Sequence, residues 1–414
     1  MLRSAFRLGS FAIVLVIAVS LASAQQPFAL KDGDTVAMLG DSITAQHLHS
    51  NYVEAYALTR YPGWQLRFRN AGVGGDTVPK GLARLDYDVL AWKPTIVTIE
   101  LGMNDSGPGL NSVGPYLDQM KTLIGRIRAA GAQPVFITAS PVNDGTSSAN
   151  LTGRDATLDK MATEIVKLAQ AEKLPVTDQF HAVFDLWGAN KAKADGVNLQ
   201  GDGVHPGPPG QLTMAWACLK GLGLPSLVSE AKIGIAEGKA LAANDCQITD
   251  LKCAPDSVSF SRLDKCLPMP IADNARDGLK LVPLAADLSH YGLAVTGLKA
   301  GKYDVKIDGV TVVAATAEEL AAGLELGAMD KGPIHDQCVT VLSLINDKSG
   351  LVWGWRDIAK YPVASWLGND LAAKVNERKQ AELDTKRAPI EALDAKLHEA
   401  LQPKARAFSI VAAQ

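Results

Sequence analysis

The sequence predicts an α/β protein with a parallel β-sheet, followed by a C-terminal accessory module of short β-strands and helices. Two observations predict this fold class. The chain has 414 residues, of which 47% are hydrophobic and 21% charged, a composition typical of a folded protein with a large core. From residue 34 onward, short apolar runs alternate with longer helical stretches, the pattern of a parallel sheet covered on both faces. The composition excludes a disordered chain, a collagen and a small disulfide-stapled scaffold.

The charge balance argues against a nucleic-acid partner. The chain carries 41 Lys and Arg against 44 Asp and Glu, a formal net charge of −3, and it has no run rich in Lys or Arg. Nucleic-acid binding normally requires a basic surface that neutralises phosphates. We therefore expect no nucleic acid among the partners of this chain.

The N-terminus has the pattern of a signal peptide. Arg3 and Arg7 precede an apolar run at 11–22, which ends in Ala22-Ser23-Ala24. A charged start, a short apolar run and a small-x-small site predict export with cleavage near Ala24. The alternative is an uncleaved membrane anchor, for which the run is short, since a span needs ~20 residues. We expect residues 1–24 to be removed and a secreted or periplasmic mature chain without a membrane span.

The five cysteines form no CxxC pair, so a zinc or redox motif has little support. In an oxidising compartment a disulfide is plausible among Cys246, Cys253 and Cys266, which lie close in sequence. The spacing leaves open which pair would form.

Each predicted strand is a short apolar run, and each is followed by a helical pattern. The strands are Thr35–Leu39, Gln65–Asn70, Thr95–Leu101, Pro134–Thr138 and Pro175–Thr177. The helices fall near 44–60, 80–92, 112–130, 155–172 and 209–222. Ligands bind at the carboxyl ends of the strands in such sheets. Polar residues that directly follow these strands are therefore the candidates for function.

The character of the chain changes near residue 225. A helical run to about 243 is predicted first, then a turn-rich stretch with cysteines. Residues 291–313 predict two or three antiparallel strands, either a structural sandwich or a carbohydrate-binding face. The last eighty residues look helical. We expect a hydrolase domain at 28–224, a β-rich region at 225–330 and a helical region at 331–414.

Four segments after the predicted strands carry residues for chemistry. In "VAMLGDSIT", Ser42 follows the first strand and begins a helix. In "NAGVGGDT", Gly75 lies in a glycine-rich turn. In "IELGMND", Asn104 offers an amide donor, and in "GDGVHPG", Asp202 lies three residues before His205. Together they supply the nucleophile, base, orienting carboxylate and oxyanion donors of acyl transfer.

Each segment alone has a simpler explanation. Ser42 could be only a helix N-cap, and Asn104 only a turn residue. Asp202 and His205 could form a capped loop, and Gly75 could belong to a tight turn. The functional interpretation depends on all four segments following elements of one sheet.

These blocks resemble the SGNH, or GDSL-type, hydrolases, and "NAGVGGDTVPKGLARL" is similar to the esterase and thioesterase-like members. The resemblance covers 34 to about 222 and implies a three-layer α/β/α sandwich that hydrolyses esters without a metal or cofactor. It implies Ser42 as the nucleophile, His205 as the base and Asp202 as its orienting partner. The N–H groups of Ser42 and Gly75 and the amide of Asn104 would form the oxyanion hole.

We therefore expect an exported serine esterase. Its substrate would be a small-molecule or polysaccharide ester, with acetyl esters on extracellular carbohydrate favoured. One alternative is a lysophospholipase or thioesterase, and another is a non-catalytic binding protein on the same fold. A metal-dependent hydrolase using Asp41, Asn104, Asp105 and His205 is weakly supported, because the cluster holds one His.

Several other residues of types common in functional sites have simpler explanations. His47 and His49 are expected at the surface or behind the reacting groups, and His181 in the core or at a pocket rim, with the core favoured. In "LVWGWRDIA", Trp353 and Trp355 lie near Arg356. Buried anchoring of the tail is favoured there over sugar stacking or pocket lining.

Overall fold

The structure is a computed structural model that describes residues 28–142 and 153–413. The predicted signal peptide at 1–24 lies outside the described residues. Within the described ranges, no helix is long and apolar enough to cross a membrane.

Five parallel strands form the central sheet, in the order β2-β1-β3-β4-β5. They are β1 (Thr35–Gly40), β2 (Arg67–Gly72), β3 (Ile96–Glu100), β4 (Gln133–Ile137) and β5 (Val176–Thr177). Gly40 at the end of β1 pairs with Gly72 of β2 and with Glu100 of β3. Because these three strands end level with one another, the loops that follow them meet at one edge of the sheet.

Helices cover both faces of this sheet. They are α1 (Ser42–Ala45), α2 (His49–Arg60), α3 (Val78–Arg84), α4 (Val113–Ala129), α5 (Gly153–Glu172), α6 (Gln179–Lys191) and α7 (Pro208–Gly221). Val36 and Met38 of β1 share one core cluster with residues of α2 and α7. Ala37 and Leu39 share another cluster with residues of α3, α4 and α5. Alternate residues of one strand thus bury against opposite helical layers, and the predicted three-layer sandwich is confirmed.

The C-terminal half begins with two further sheets that share a core. Its strands are β6 (Leu227–Gly234), β7 (Lys239–Asn244), β8 (Cys246–Ala254), β9 (Ser257–Asp264), β10 (His290–Thr296), β11 (Lys302–Ile307), β12 (Val310–Thr316), β13 (Leu324–Glu325) and β14 (Arg406–Ala412). One sheet has the order β13-β10-β6-β7 and the other β12-β11-β14-β9-β8. Two short helices, α8 (Leu284–Leu288) and α9 (Ala317–Ala322), lie between the strands.

The helix predicted to run to about residue 243 is wrong. Residues 227–244 instead form β6 and β7, joined through Gly238, whose φ of +60° favours glycine. The Ala, Glu and Lys residues of this stretch favour a helix in isolation. However, β6 pairs with β10 on one side and with β7 on the other, and this tertiary pairing overrides the local preference.

The strands predicted at 291–313 form in part as expected. β11 and β12 make an antiparallel hairpin. β10 instead enters the other sheet, where it pairs parallel with β6. A hairpin is a local structure, but β10 finds its partner about sixty residues earlier in the chain, and the local pattern carries no sign of that pairing.

Two long helices, α10 (Pro333–Ala359) and α11 (Asn369–Ala400), make up most of the last eighty residues. They pack back against the parallel-sheet half, where Val341 and Ile345 of α10 and Leu397 of α11 join the core cluster of α2. The chain ends in the unpredicted strand β14, which inserts between β11 and β9. The region is therefore helical except for its last strand.

The suggested disulfide is not formed, since all five cysteines are unpaired. Cys246 and Cys253 lie at opposite ends of β8, much farther apart than the Cα separation a disulfide spans. The Sγ atoms of Cys246 and Cys266 instead face the carbonyl oxygens of Glu230 and Val228, at 3.5 and 3.4 Å.

Candidate active site

Ser42 is the first residue of α1, directly beyond the end of β1. Asp41 caps this helix, and its carboxylate accepts a hydrogen bond from the backbone N–H of Ile43 at 2.9 Å. The turn is so tight that a Cβ on Gly40 would lie 1.9 Å from Thr44 Oγ1. Glycine is therefore required where the chain turns from strand to helix. The result places Ser42 half-buried at the edge of the sheet.

His205 connects Ser42 to Asp202. Its Nε2 lies 2.8 Å from Ser42 Oγ, and its Nδ1 lies 2.6 Å from Asp202 Oδ2. With a proton on Nδ1, the ring donates to the carboxylate, and Nε2 can accept the serine hydroxyl proton. The fold thus brings His205 and its neighbour Asp202 to Ser42, which lies 163 positions before His205 in the sequence.

A local turn holds Asp202 in place. Its Oδ1 accepts hydrogen bonds from the backbone N–H groups of His205 and Val204, at 2.7 and 2.9 Å. These bonds and the contact with the His205 ring hold the pKa of Asp202 well below its usual range. The carboxylate is therefore ionised at neutral pH and can stabilise a positive charge on the imidazole.

Gly75 and Asn104 follow β2 and β3, the strands on either side of β1. Gly75 has a φ of +72°, in the left-handed region that favours glycine. Asn104 donates one side-chain N–H to the carbonyl oxygen of Asp76 at 2.9 Å, which ties the two loops together. Gly75 and Asn104 therefore lie in loops at the same edge of the sheet as Ser42.

Comparisons with known proteins indicate the family of this chain. The sequence model of the GDSL-like Lipase/Acylhydrolase family matches residues 38–212. Esterase TesA from Pseudomonas aeruginosa is 30% identical over 166 residues, which cover 39% of this chain and 73% of that protein. The chain belongs to the GDSL-like lipase/acylhydrolase family. The SGNH resemblance drawn from the four sequence blocks is thereby confirmed.

A second relative and a solved structure show how much of the chain resembles known proteins. The second relative, "Thioesterase 1/protease 1/lysophospholipase L1" from Escherichia coli, is 33% identical over 117 residues, 27% of this chain. The match spans 54% of that relative, about half its length. A solved structure described as BT4096, a gut microbial diltiazem-metabolizing enzyme, has a TM-score of 0.79 and 23% identity. It covers 94% of this chain and 100% of its own, so the two share the fold of both halves.

A buried ion pair lies behind Ser42 in this GDSL-family chain. His49 Nε2 is 2.7 Å from Glu100 Oε2, and both side chains are almost fully buried. Burial alone would lower the pKa of His49, but Glu100 and the hydrogen bond that the ring donates to the side-chain oxygen of Gln211 outweigh it and raise the pKa. Thr44 Oγ1 also donates to Glu100, at 3.0 Å. The pair thus fixes α1 and α2 at the end of β3.

Gln211 extends this network toward the histidine loop. Its side-chain oxygen accepts from the backbone N–H of His49 at 2.9 Å, and its amide donates to the carbonyl of Pro206 at 3.2 Å. Pro206 directly follows His205, so one hydrogen-bonded chain links the serine helix to the histidine loop. His49 lies behind Ser42, in agreement with the prediction that it is not catalytic, whereas Glu100 was not among the predicted residues. The available signal was a carboxylate at the end of an otherwise apolar strand.

The proposed metal ligands and His181 do not form a second site in the part of the chain that the structure describes. Asp41 and Asp105 each accept from a backbone N–H, of Ile43 and Val78. No cluster of three or more His, Cys, Asp or Glu suited to a metal ion occurs within 28–142 and 153–413. His181 is not in the core as favoured. It is half exposed between Asp178 and Asp159, each 2.7 Å away, because it lies on the outer side of α6.

A cavity of about 510 Å³ opens beside Ser42. The loop after β2 lines one side, and α10 of the C-terminal half contributes Trp353, Arg356 and Lys360. The two tryptophans of "LVWGWRDIA" therefore differ. Trp355 is buried and anchors the helix, as favoured, whereas Trp353 is 45% exposed and lines the cavity.

Proposed function

We propose that this chain is an exported serine esterase that hydrolyses acyl esters. The observation that supports the proposal most strongly is the position of His205, within hydrogen-bond distance of both Ser42 Oγ and Asp202. Membership of a lipase and acylhydrolase family supports the same reaction class. In this proposal residues 28–224 supply the reacting groups, and the remainder is an accessory region.

The reaction proceeds through two acyl transfers. Ser42 Oγ attacks the ester carbonyl carbon while His205 Nε2 takes the hydroxyl proton. The tetrahedral intermediate collapses, and His205 returns that proton to the departing alcohol. Water then attacks the acyl-serine with His205 again as the base, which releases the carboxylic acid and regenerates Ser42. Asp202 stays ionised throughout and stabilises the imidazolium.

The intermediate carries its negative charge on the former carbonyl oxygen. The backbone N–H groups of Ser42 and Gly75 and the side-chain amide of Asn104 are the proposed donors to this oxygen. Their support is the level ends of β1, β2 and β3, from which all three loops leave. Donors fixed before the reaction stabilise the intermediate more than the planar ester.

A serine-directed phosphonate probe tests the proposal. Wild-type protein should be labelled at Ser42 and should hydrolyse p-nitrophenyl acetate, while Ser42→Ala should do neither. Intact folding of the variant is checked by circular dichroism. Hydrolysis at the wild-type rate by folded Ser42→Ala would overturn the assignment. A chain that is neither labelled nor active on any ester would instead be a binding protein.

For the substrate, we propose acetyl esters on extracellular carbohydrate. The support is the predicted signal peptide together with the accessory region appended to the hydrolase core. A thioesterase or lysophospholipase is the second candidate, because a curated relative is named for these activities. A series of p-nitrophenyl esters from acetyl to palmitoyl separates them. Maximal rate at acetyl supports the first candidate, and a maximum at long chains supports the second.

Export is part of the proposal and has its own test. Expression of the full chain in a Gram-negative host, followed by fractionation and mass measurement of the product, shows whether cleavage occurs near Ala24. Material that keeps residues 1–24 and stays in the membrane fraction would favour the alternative of an uncleaved anchor.

A further inference from the structure

The cavity beside Ser42 is larger than an acetyl group requires. Its volume of about 510 Å³ falls within the range of about 300–1,000 Å³ that is typical of sites for small molecules. Ser42 and Gly74 form the side nearest the reaction, and Trp353 lies on the side contributed by α10. A substrate that fills this space must carry a bulky group next to its ester.

Trp353 differs from its neighbours on α10. Val352 and Trp355 are 2% and 1% exposed in the core, whereas Trp353, two residues before Trp355, points to another side of the helix. An indole that is 45% exposed and lines a cavity beside a reactive serine offers a flat apolar face to a ligand.

Two aromatic neighbours support Trp353 and the cavity. The ring of His47 lies 5.2 Å from the indole, tilted by 50°. Burial lowers the pKa of His47 to about 4, and Arg356 adds to this effect, so the ring is neutral at pH 7 and suited to an apolar contact. Tyr87 also lines the cavity and packs against the core cluster of Val352 and Trp355. Two aromatic side chains, Trp353 and Tyr87, therefore line the cavity.

We propose that Trp353 is a specificity-determining residue that binds a ring-bearing group of the ester substrate through its indole face. The inference rests on the proposed esterase function and makes the C-terminal helix α10 part of the substrate site. Aromatic rings and the apolar faces of sugar rings share the chemistry that an indole recognises.

Four esters test the proposal: ethyl acetate as the small reference, 2-naphthyl acetate, ethyl 2-naphthoate and fully acetylated methyl glucoside. For each, kcat/KM is divided by the value for ethyl acetate. Trp353→Ala should lower this ratio about 10-fold for at least one ring-bearing ester, and Trp353→Phe should restore most of it. The ester whose ratio falls in Trp353→Ala shows whether the indole binds an aromatic ring or a sugar ring. It also shows whether that ring belongs to the acyl or the alcohol part of the substrate.

The matched control is Trp366→Ala, since Trp366 is 83% exposed and does not line the cavity. Its ratios should equal those of the wild type. Unchanged ratios in Trp353→Ala for all three ring-bearing esters would overturn the proposal. So would a loss that Trp366→Ala shares.

A binding measurement separates this inference from the proposed function. In the Ser42→Ala background, calorimetric titration with each ring-bearing ester reports binding without turnover. Trp353→Ala should weaken the binding of the responding ester about 10-fold. Failure of the esterase proposal shows as an inactive wild type that phosphonate does not label. The cavity proposal fails if the wild type is active but Trp353→Ala changes neither the binding of the ring-bearing esters nor their kcat/KM ratios.

Discussion

Asn104 donates one side-chain N–H to Asp76, and the other is proposed to bind the oxyanion. Asn104→Ala should lower kcat about 10²–10³-fold with little change in KM, because the donor acts mainly in the transition state. Steady-state kinetics on p-nitrophenyl acetate measure this split. The variant should fold normally, and phosphonate should still label its Ser42. A rise in KM with unchanged kcat would contradict the proposal that Asn104 belongs to the oxyanion hole.

Asp41 offers a second test at the scale of one residue. Burial, with a smaller contribution from nearby Glu100, raises the pKa of this carboxyl group from 3.8 to about 7, although the hydrogen bond from Ile43 opposes the rise. The folded protein therefore holds a proton that the unfolded chain has lost between pH 4 and pH 7. Stability from this group is fully present below pH 4 and is lost as the pH rises toward 7.

Asp41→Asn should remove this pH dependence, because an amide does not titrate and its oxygen can still accept from Ile43. Urea unfolding at pH 4.5, 6 and 8 should show the variant gaining on the wild type as pH rises, by on the order of 1–4 kcal/mol at pH 8. Asp118→Asn, at an exposed position, serves as the control. Parallel stability curves for wild type and Asp41→Asn would contradict the prediction.

At the scale of elements, Arg356 connects α10 to the end of β2, just before the turn that holds Gly75. Its guanidinium donates to the carbonyls of Gly72 and Asn70, at 3.1 and 3.0 Å, and to Asp88 at 2.7 Å. Gly72 ends β2, directly before the turn that holds Gly75. Asp88 also pairs with Arg84, so loss of Arg356 leaves no buried carboxylate alone. We therefore expect Arg356 to position this turn.

Arg356→Ala should lower kcat about 10- to 100-fold and change KM less, since small displacements of aligned donors are costly. Arg356→Lys should recover only part, because an ammonium cannot reach both carbonyls and Asp88 together. Arg378→Ala, at an exposed position on α11, is the control. A loss of stability in Arg356→Ala at full kcat would show that the contact serves only the fold.

The strands of the parallel sheet could be predicted because each is a local apolar run with turn residues after it. The same pattern placed Ser42, Gly75 and Asn104 at the ends of β1, β2 and β3. Pairings between distant segments could not be predicted from local patterns. They account for the wrong helix at the position of β6 and for the unpredicted insertion of β14 between β11 and β9, and similar long-range packing places α10 beside Ser42. The roles assigned to the site residues stay predictions, although the structure brings three of them within hydrogen-bond distance.

For the whole molecule, buried ion pairs join the parallel-sheet half to the C-terminal helices. Lys348 of α10, 2% exposed, contacts Glu54 of α2 and lies 3.0 Å from Asp394 of α11. Asp394 in turn lies 2.7 Å from Arg69 of β2. Burial would raise the pKa of Asp394, but Lys348 and Arg69 outweigh it and lower the pKa. Four charges from both halves therefore depend on one another in a region closed to water.

Lys348→Met should destabilise the protein by about 3–5 kcal/mol, because it leaves Glu54 buried without its cation. The double variant Lys348→Met/Glu54→Gln should recover much of this loss, and Lys360→Met, at an exposed position, should cost little. Urea unfolding is followed in parallel by circular dichroism and by esterase activity. Coincident transitions that shift together would mean that the two halves unfold as one unit. An activity transition unmoved by Lys348→Met would mean that the parallel-sheet half is stable without this contact.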